Sequence, residues 1–385
     1  MNAVERGSPI LLGTGETLAL RDAVAGDNEA LIDLTAACPM HGDITLRMDR
    51  SPDYFALSRI EGDQSRVGVV VDQQQQLVGC VAVAPRLSYV NGAVKESVYV
   101  SDLRVHPRAR GSGVADWLTQ YASDAAAELG GPYTPVVCTI LAGNSAMENR
   151  TRGPRGTPVL SRFATLNVLA IPLLWERRER VSGAGPQVRT ASERDLEGMA
   201  LAWRTFAGTR QFADAHAGHA ADLAGWIERA PDLSLSDYLV AVDAAGRVRG
   251  FLGVWDQTAF RQLRVVNYSR RLAFSRHAIN LVAPFVGAAP LPSPGAALHA
   301  LSTVHVCATD QITLRALLLE TYRRYRGSRH SFFTIALDSR DPLIAATRGL
   351  FAQPTYVHAY VTTALGFADP SRYSGRLVSL ETALA

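Results

Sequence analysis

The residue types best suited to chemistry are concentrated in residues 98–118, where a strand pattern leads through a glycine-rich turn into a helix pattern. Alternating apolar residues predict a strand that stops at Pro107, and the spacing of Trp117, Leu118 and Tyr121 predicts the helix. Small residues in the turn allow successive backbone N–H groups to point outward at a helix N-terminus, where the helix dipole favours negative charge. We expect this turn to bind a pyrophosphate.

The turn differs from two better-known phosphate-binding motifs. It has no third spaced glycine, as the Rossmann fingerprint requires, and no Gly-Lys-Ser/Thr, as the Walker A pattern requires. An ordinary glycine-rich turn that binds nothing is the alternative. The residues predicted to form the phosphate site are Arg110, Gly111, Ser112, Gly113, Val114 and Ala115.

The order Leu103-x-Val105-x-Pro107 and then Arg110-x-x-Gly113-x-Ala115 resembles the acetyl-CoA signature of the GCN5-related N-acetyltransferases, or GNAT superfamily. In that family the signature is Q/R-x-x-G-x-G/A after a strand ending in L-x-V-x-P. The resemblance implies an α/β (α+β) fold, in which a mixed, mostly antiparallel sheet is flanked by helices. It also implies acyl-CoA, and acetyl-CoA first, as cosubstrate, with direct attack of an amine on the thioester, no metal and no covalent enzyme intermediate.

The resemblance also suggests which residues contact the cosubstrate. The backbone N–H of Leu103, or of Val105 if a bulge shifts the register, is expected to stabilise the charge that develops on the thioester oxygen. The backbone of Leu103, Arg104 and Val105 is expected to pair with the pantetheine amides. Asn144 matches a polar residue that contacts CoA after the next strand, although a turn-forming asparagine is the alternative.

Catalytic candidates are less well marked, because the incoming ammonium must lose a proton and relatives often carry Glu or His for this purpose. Tyr99 and Ser101 stand at those positions, on the face that strict alternation shares with Leu103 and Val105. Asp102 falls on the other face unless a bulge brings it round. A tyrosine that relatives carry after the Asn144 region is missing. We retain Tyr99, Ser101 and Asp102 as catalytic candidates.

Composition excludes several other classes of protein. The chain has 385 residues, 47% of them hydrophobic, and a formal charge of +3 from 39 basic and 36 acidic residues, which gives no support for nucleic-acid binding. The four cysteines lie far apart, so we expect reduced, mostly buried thiols and neither a zinc site nor a disulfide framework. No signal peptide and no membrane span is evident, and a cytoplasmic location is expected.

The sequence repeats internally, which suggests two tandem domains. Arg21, Ala23, Asp27 and Glu29 recur 168 positions later as Arg189, Ala191, Asp195 and Glu197. A charged and then Gly/Pro-rich stretch at residues 176–187 has the composition of a linker. We predict a GNAT domain at 16–176 that binds acyl-CoA and a degenerate GNAT-like domain at 186–385, each ending in a pair of strands, after a loose leader at 1–15.

The second copy departs from the first in two places. Asp72 and Gly79 recur as Asp243 and Gly250, at an offset of 171, whereas Ser101, Leu103 and Val105 align with Ser302, Val304 and Val306 at an offset of 201. The difference predicts an insertion at residues 257–297. The signature then reads Gln311-x-x-Leu314-x-Ala316, where Ile312 and Leu314 should crowd the phosphate site. We therefore predict one CoA per chain.

The acceptor is not identified by the sequence. Residues 38–55 are the expected wall of its site, with Asp43, Asp49 and Asp53 able to hold a cation or, alternatively, to pair with Arg47 and Arg50. The insertion is basic and amphipathic, which suits contact with a membrane or an acyl carrier protein, but packing between the domains is the alternative we favour. A homodimer is possible.

The sequence as a whole therefore predicts an N-acyltransferase that transfers an acyl group from acyl-CoA to a primary amine of a small molecule. A catalytically silent CoA-binding sensor or scaffold is one alternative, since a clear acid and base are missing. An N-acyltransferase of specialised metabolism that depends on an acyl carrier protein is another.

Overall fold

A computed structural model describes residues 10–11, 17–62, 64–152, 159–174, 185–366 and 368–384. These ranges include most of both predicted domains. The predicted leader lies outside the described residues except for Ile10–Leu11, and residues 176–184, most of the predicted linker, lie outside them as well.

In its described part, the first half contains a series of strands rich in β-branched and other apolar residues, interrupted by four α-helices. The strands are β1 (Ile10–Leu11), β2 (Thr17–Asp22), β3 (Ile44–Asp49), β4 (Arg66–Val71), β5 (Leu77–Val90), β6 (Ala93–Val105), β7 (Val136–Leu141) and β8 (Ser161–Pro172). The helices are α1 (Asn28–Ala36), α2 (Ala56–Glu61), α3 (Val114–Gly130) and α4 (Ser145–Arg150). Buried residues of α3 recur at helical spacing, at Val114, Leu118, Tyr121, Ala122 and Ala125, because that stripe faces the sheet.

The second half follows the same plan with additions. Its strands are β9 (Gln187–Thr190), β10 (Arg210–Gln211), β11 (Ala213–Asp214), β12 (Tyr238–Val242), β13 (Val248–Trp255), β14 (Gln262–Tyr268), β15 (Ala297–Leu298), β16 (Ala300–Ala308), β17 (Phe332–Asp338), β18 (Gln353–Thr362) and β19 (Leu377–Val378). Its helices are α5 (Leu196–Ala207), α6 (Ala220–Arg229), α7 (Arg270–Val282), α8 (Gln311–Tyr325) and α9 (Ser371–Ser374).

The repeated residues perform the same local task in both halves. Arg21 donates to the Asp27 carboxylate at 2.6 and 2.8 Å, just before α1. Arg189 donates to Asp195 at 2.7 and 2.6 Å, just before α5. Each aspartate also accepts a backbone N–H three residues earlier, so the pair closes the turn from the first strand into the first helix. The internal repeat is therefore present in the three-dimensional structure.

The two halves share one continuous sheet. Its strand order is β1-β2-β4-β5-β6-β7-β18-β8-β17-β16-β13-β12-β9. The last long strand of each half crosses to the other half, since β18 lies between β7 and β8, and β8 in turn pairs with β17. The prediction of a closing strand pair in each half was wrong: each half supplies one long strand, and its partner comes from the other half.

Helices cover both faces of the part of this sheet that belongs to the first half. Helix α3 packs on one face against Val78, Val81 and Val83 of β5. It approaches so closely that a Cβ atom at Gly79 would lie 2.8 Å from Val114 Cγ1. Helix α1 packs on the opposite face, where Leu31 and Leu34 contact the other side of β4 and β5.

The predicted insertion at 257–297 contains β14, α7 and β15. Strand β14 pairs antiparallel with β3 of the first half, from Gln262 opposite Asp49 to Tyr268 opposite Ile44, so the insertion packs between the two halves as the favoured alternative predicted. Helix α7 lies outside this contact and buries none of its side chains. Among the described residues, no helix combines the length and the apolar character that a membrane crossing requires.

Candidate active site

A gap separates the parallel strands β6 and β7 in the first half. The strands pair only from Val98 opposite Val136 to Val100 opposite Cys138, although β6 continues to Val105 and β7 to Leu141. The gap opens a cavity of about 360 Å³ at the carboxyl ends of both strands. The cavity walls include Thr119, Ala122 and Ser123 of α3, Met48 of β3 and Met40, which precedes β3.

A β-bulge in β6 lies beside this gap. The register with β5 shifts between Cys80 and Ala82, and Asp102 takes a left-handed conformation with φ 51°. The extra residue places Leu103 and Val105 against α3, whereas Tyr99 belongs to the apolar cluster on the other face of the sheet. The prediction from strict alternation that Tyr99 and Ser101 share a face with Leu103 and Val105 was therefore wrong, and the bulge allowed for in the sequence is present.

The backbone after the bulge offers hydrogen-bond donors to the gap. The His106 N–H donates to Val78 O of β5 at 2.9 Å. Because backbone groups alternate in direction along a strand, the N–H groups of Leu103 and Val105 point to the opposite edge, toward the opening beside β7. Leu103 and Arg104 also line the cavity.

The glycine-rich turn joins the end of β6 to α3. Gly111 and Gly113 have φ angles of 83° and 88°, a region that favours glycine, and Gly113 is the N-cap of α3. In the described part of the chain, the backbone N–H groups of Gly111, Gly113, Val114 and Ala115 have no protein acceptor. The Ser112 hydroxyl instead donates to Ala109 O at 2.6 Å and braces the turn. Unpaired donors at the N-terminus of a 17-residue helix form a site for an anion.

Two other predicted cosubstrate residues lie near this turn and the cavity. Arg110 is exposed just before the glycines. Asn144 lines the cavity and is the N-cap of α4, where its side-chain oxygen accepts the Met147 N–H at 3.3 Å. Asn144 thus has the structural role that the sequence left open, as the cap of a helix, and it also lies in the cavity wall.

Asp102 is the centre of a buried cluster of charges. Its carboxylate pairs with the guanidinium groups of Arg50 and Arg104, the latter at 3.1 Å, and Tyr54 Oη donates to it at 3.4 Å. Burial alone would raise the pKa of this carboxyl, but Arg50, Arg104 and Arg261 outweigh that effect and hold the pKa well below its usual range. A carboxylate so stabilised is a weak proton acceptor.

The pKa of the Tyr99 hydroxyl is shifted in the opposite direction, above its usual value. Its hydroxyl lies 2.9 Å from Thr139 Oγ1, and the Arg86 guanidinium stacks over its ring at 3.8 Å while pairing with Glu61. Burial raises the pKa of Tyr99 more than the positive charge of Arg86 lowers it. Tyr99 therefore keeps its proton at neutral pH and lines the cavity together with Ser101.

Two of the three acidic residues proposed to hold a cation, Asp49 and Asp53, have arginine partners. Asp49 pairs with Arg264 of β14 at 2.6 Å, and Asp53 pairs with Arg59. For these two residues the ion pairing named as the alternative is present, but the partners are not Arg47 and Arg50, because Arg50 pairs with Asp102. Among the described residues, no group of three or more His, Cys, Asp or Glu is placed to hold a metal.

The equivalent gap in the second half is filled by the chain itself. Strands β16 and β17 pair only from Ala300 to Ser302, and β16 has a bulge at His305 with φ 50°. The His305 N–H donates to the Glu381 carboxylate at 2.9 Å, and the Val378 N–H donates to Asp338 at 2.8 Å. The remaining space is only about 20 Å³, because residues after β19 occupy the gap.

The bulges also correct the alignment of the two copies. Cys80 faces Arg104 just after the bulge in the first half, and Phe251 faces Cys307 in the second. Asp102 therefore corresponds to His305, and the predicted offset of 201 for these strands was wrong by two residues. A residue in left-handed backbone marks the position in both halves, but nothing in the sequence pattern distinguishes it.

The phosphate turn has no counterpart in the second half. Strand β16 ends at Ala308 and α8 begins at Gln311, with Asp310 accepting the Thr313 N–H at 2.8 Å as its cap. Residues 311–316 are thus helical, and Leu314 is fully buried in the core. The prediction that Ile312 and Leu314 crowd a phosphate site was wrong, because the turn is missing altogether.

Three comparisons with known proteins bear on this site. Residues 28–148 match the model of the "Acetyltransferase (GNAT) family". The comparison with curated proteins gives no match. The structure resembles that of Saccharomyces cerevisiae N-myristoyltransferase with bound myristoyl-CoA, at a TM-score of 0.63 and 11% identity, over 98% of this chain and 92% of that chain.

Two further solved structures share the fold at lower scores. A GCN5-related N-acetyltransferase from Sphaerobacter thermophilus has a TM-score of 0.53 at 17% identity, over 91% of this chain and 97% of that chain. A probable N-acyltransferase from Enterococcus faecalis V583 has a TM-score of 0.52 at 10% identity, over 91% of this chain and 73% of that chain. At such low identity these likenesses concern the fold.

Proposed function

We propose that the protein is an acyl-CoA-dependent N-acyltransferase that transfers an acetyl group from acetyl-CoA to the primary amine of a small molecule. The match of residues 28–148 to the model of the acetyltransferase (GNAT) family supports this proposal. The observation that carries this proposal is the open gap between β6 and β7 beside a turn with four unpaired N–H groups in the described chain. Together they offer a channel for a thioester arm and a site for its pyrophosphate.

In this proposal the cosubstrate lies along β6. The N–H groups of Gly111, Gly113, Val114 and Ala115 bind the pyrophosphate, with Arg110 and Ser112 at its edge. The backbone of residues 103–105 pairs with the pantetheine amides, and the Leu103 N–H points at the thioester oxygen, where negative charge develops in the transition state. Asn144 supports the arm from the opposite wall.

The chemical step forms a C–N bond and breaks a C–S bond. The acceptor nitrogen starts as an ammonium and loses two protons, while the departing sulfur gains one, so one proton leaves to solvent overall. Tyr99 is the proposed donor to sulfur, because it is protonated at neutral pH and lines the cavity. Ser101 stands beside it and is proposed to orient the amine. Asp102 is proposed as a positioning residue rather than a base.

The chain is proposed to divide into an acyl-CoA domain at 16–176 and a degenerate second domain at 186–385, which exchange their last long strands. The second domain then shapes the acceptor side, since Arg261 from its insertion lines the cavity. Its own gap is closed by the segment after β19, so we propose that each chain binds one acetyl-CoA.

The decisive experiment measures free-thiol release from acetyl-CoA in the presence of a panel of small primary amines. Turnover with at least one amine, and none without amine, is the expected result. Binding of acetyl-CoA without release of thiol for any amine would favour the sensor or scaffold. If thiol is released only from acyl groups carried on an acyl carrier protein, the donor is the acylated carrier protein and not acetyl-CoA.

Replacement of Tyr99 by phenylalanine is expected to lower kcat by about a hundredfold or more, the usual contribution of a general acid, with an unchanged Kd for CoA. Steady-state kinetics and calorimetry measure the two quantities. Thr139→Val is the matched control, because it removes the same hydrogen bond and leaves the tyrosine proton in place. Equal losses in both variants would mean that the bond matters for structure and that Tyr99 donates no proton.

A further inference from the structure

Helix α7 and the short 3-10 turn that follows it, Ala283–Val286, expose an unusual amount of apolar surface. Phe274 is 90% exposed, Leu281 74% and Phe285 87%. Soluble surfaces rarely present several large apolar side chains together, and such a patch usually marks a binding surface.

The three side chains follow one another along α7 and the turn after it, and together we call them the apolar stripe. Phe274 and Leu281 are separated by seven residues, which at 3.6 residues per turn returns to the same side of α7, and Phe285 follows in the 3-10 turn directly after the helix. The other side of α7 is tied to the protein: Arg276 stacks over Tyr268 at 5.8 Å, and Asn280 exchanges hydrogen bonds with the backbone of Leu291 at 2.7 and 3.0 Å. The helix is therefore anchored by polar groups and turns its apolar side to the solvent.

The charge around the stripe has one sign. Arg270, Arg271 and Arg276 lie in α7, and residues 270–286 contain no aspartate or glutamate. Arg270 and Arg271 are exposed at the start of the helix, and no ion pair is found for either among the described residues. A surface of this kind complements an extended negative charge.

We propose that α7 and the turn after it dock the protein on an anionic phospholipid bilayer. Phe274, Leu281 and Phe285 enter the boundary between headgroups and acyl chains, and Arg270 and Arg271 contact lipid phosphates. A protein partner would have to offer a separate pocket for each protruding side chain, whereas a bilayer accommodates all three without such complementarity. The helix has 13 residues and lies along the surface.

The docking surface is connected to the cavity through a short sheet. Helix α7 follows β14, β14 pairs with β3, and Met48 of β3 lines the cavity. The proposal itself depends only on α7 and is independent of the proposed reaction.

The test is sedimentation of the full chain with vesicles of phosphatidylcholine, with and without phosphatidylglycerol. We expect the protein to sediment with the anionic vesicles and to be released by salt, since screening weakens the arginine contacts. The triple variant Phe274→Ser, Leu281→Ser, Phe285→Ser and the double variant Arg270→Gln, Arg271→Gln should each lower the partition by about tenfold or more. Leu201→Ser and Ile312→Ser remove exposed apolar side chains from α5 and α8 and should change nothing.

Three outcomes would overturn the proposal. In the first, the wild-type chain stays in solution with anionic vesicles at low salt, and in the second, the triple variant sediments as fully as the wild type. In the third, the wild type forms a dimer or a saturable complex with a purified acidic carrier protein, which the triple variant loses, while neither protein binds vesicles. Circular dichroism of the triple variant checks that it folds, as expected because all three side chains are exposed.

Discussion

Replacement of Gly113 by leucine is expected to abolish acetyl-CoA binding, in a protein whose wild-type chain binds one molecule per chain. With φ 88°, this position holds the N–H groups of the turn outward, and a side chain there favours a different backbone. Losing even two charge-assisted hydrogen bonds to the pyrophosphate weakens binding by at least about a hundredfold. Isothermal titration calorimetry measures both affinity and stoichiometry.

The matched control is Gly246→Leu, in the hairpin turn between β12 and β13. Gly246 has φ 78°, and apart from the glycine and its two chain neighbours no heavy atom of the described chain lies within 4 Å of a Cβ atom at either position. Both variants should therefore lose a similar amount of stability, about 1–2 kcal/mol, but Gly246→Leu should still bind acetyl-CoA. A stoichiometry near two, or binding that survives Gly113→Leu, would show that the cosubstrate lies elsewhere. Leu314 is no use as a control, because it is fully buried.

Asp102→Ala should lower the free energy of unfolding by about 3–5 kcal/mol, since it leaves buried arginines without their carboxylate. The Arg50 side chain is only 7% exposed and Asp102 13%. Asp53→Ala provides the comparison, because Asp53 pairs with the exposed Arg59 and its loss should cost no more than about 1 kcal/mol. Urea denaturation of the three proteins measures these differences.

The effect of Asp102→Ala should depend on pH in a defined direction. The pKa of Asp102 is lower in the folded protein than in the unfolded chain, so its stabilisation is fully present above the unfolded value, about 3.9. It is lost as the pH falls through the folded pKa. The difference in stability between the wild type and the variant should thus be constant near neutrality and shrink in acid.

The same residue tests our assignment of catalytic roles. Asp102→Asn keeps the shape of the side chain, and the proposal predicts that its activity falls together with its stability. An Asp102→Asn protein as stable as the wild type but without any activity would identify Asp102 as the base. The pH profile of kcat/KM for the wild type provides a second check, because a base with so low a pKa would produce no inflection near neutrality.

Local patterns were sufficient to predict the strand, the glycine-rich turn and the helix of residues 98–118, and the repeated residues before α1 and α5. The alternation before Pro107, the small residues from 111 to 113 and the helical spacing after them depend on contacts within about twenty residues, so the strand, the turn and α3 follow directly from the residue types. Arg21 with Asp27 and Arg189 with Asp195 are local in the same sense, which is why their spacing revealed the duplication.

Features that depend on residues distant in the sequence could not be predicted from such local patterns. An alternating sequence does not show where one extra residue enters, so the bulge at Asp102, and with it the faces of Tyr99 and Leu103, depend on the register with β5. The exchange of β8 and β18 requires strands from both halves to meet, and single-chain periodicity is the same for either pairing. Arg50 and Arg261 interact with the Asp102 carboxylate although they are distant from it in the sequence. It is the tertiary fold that brings these cations within range of the buried carboxylate.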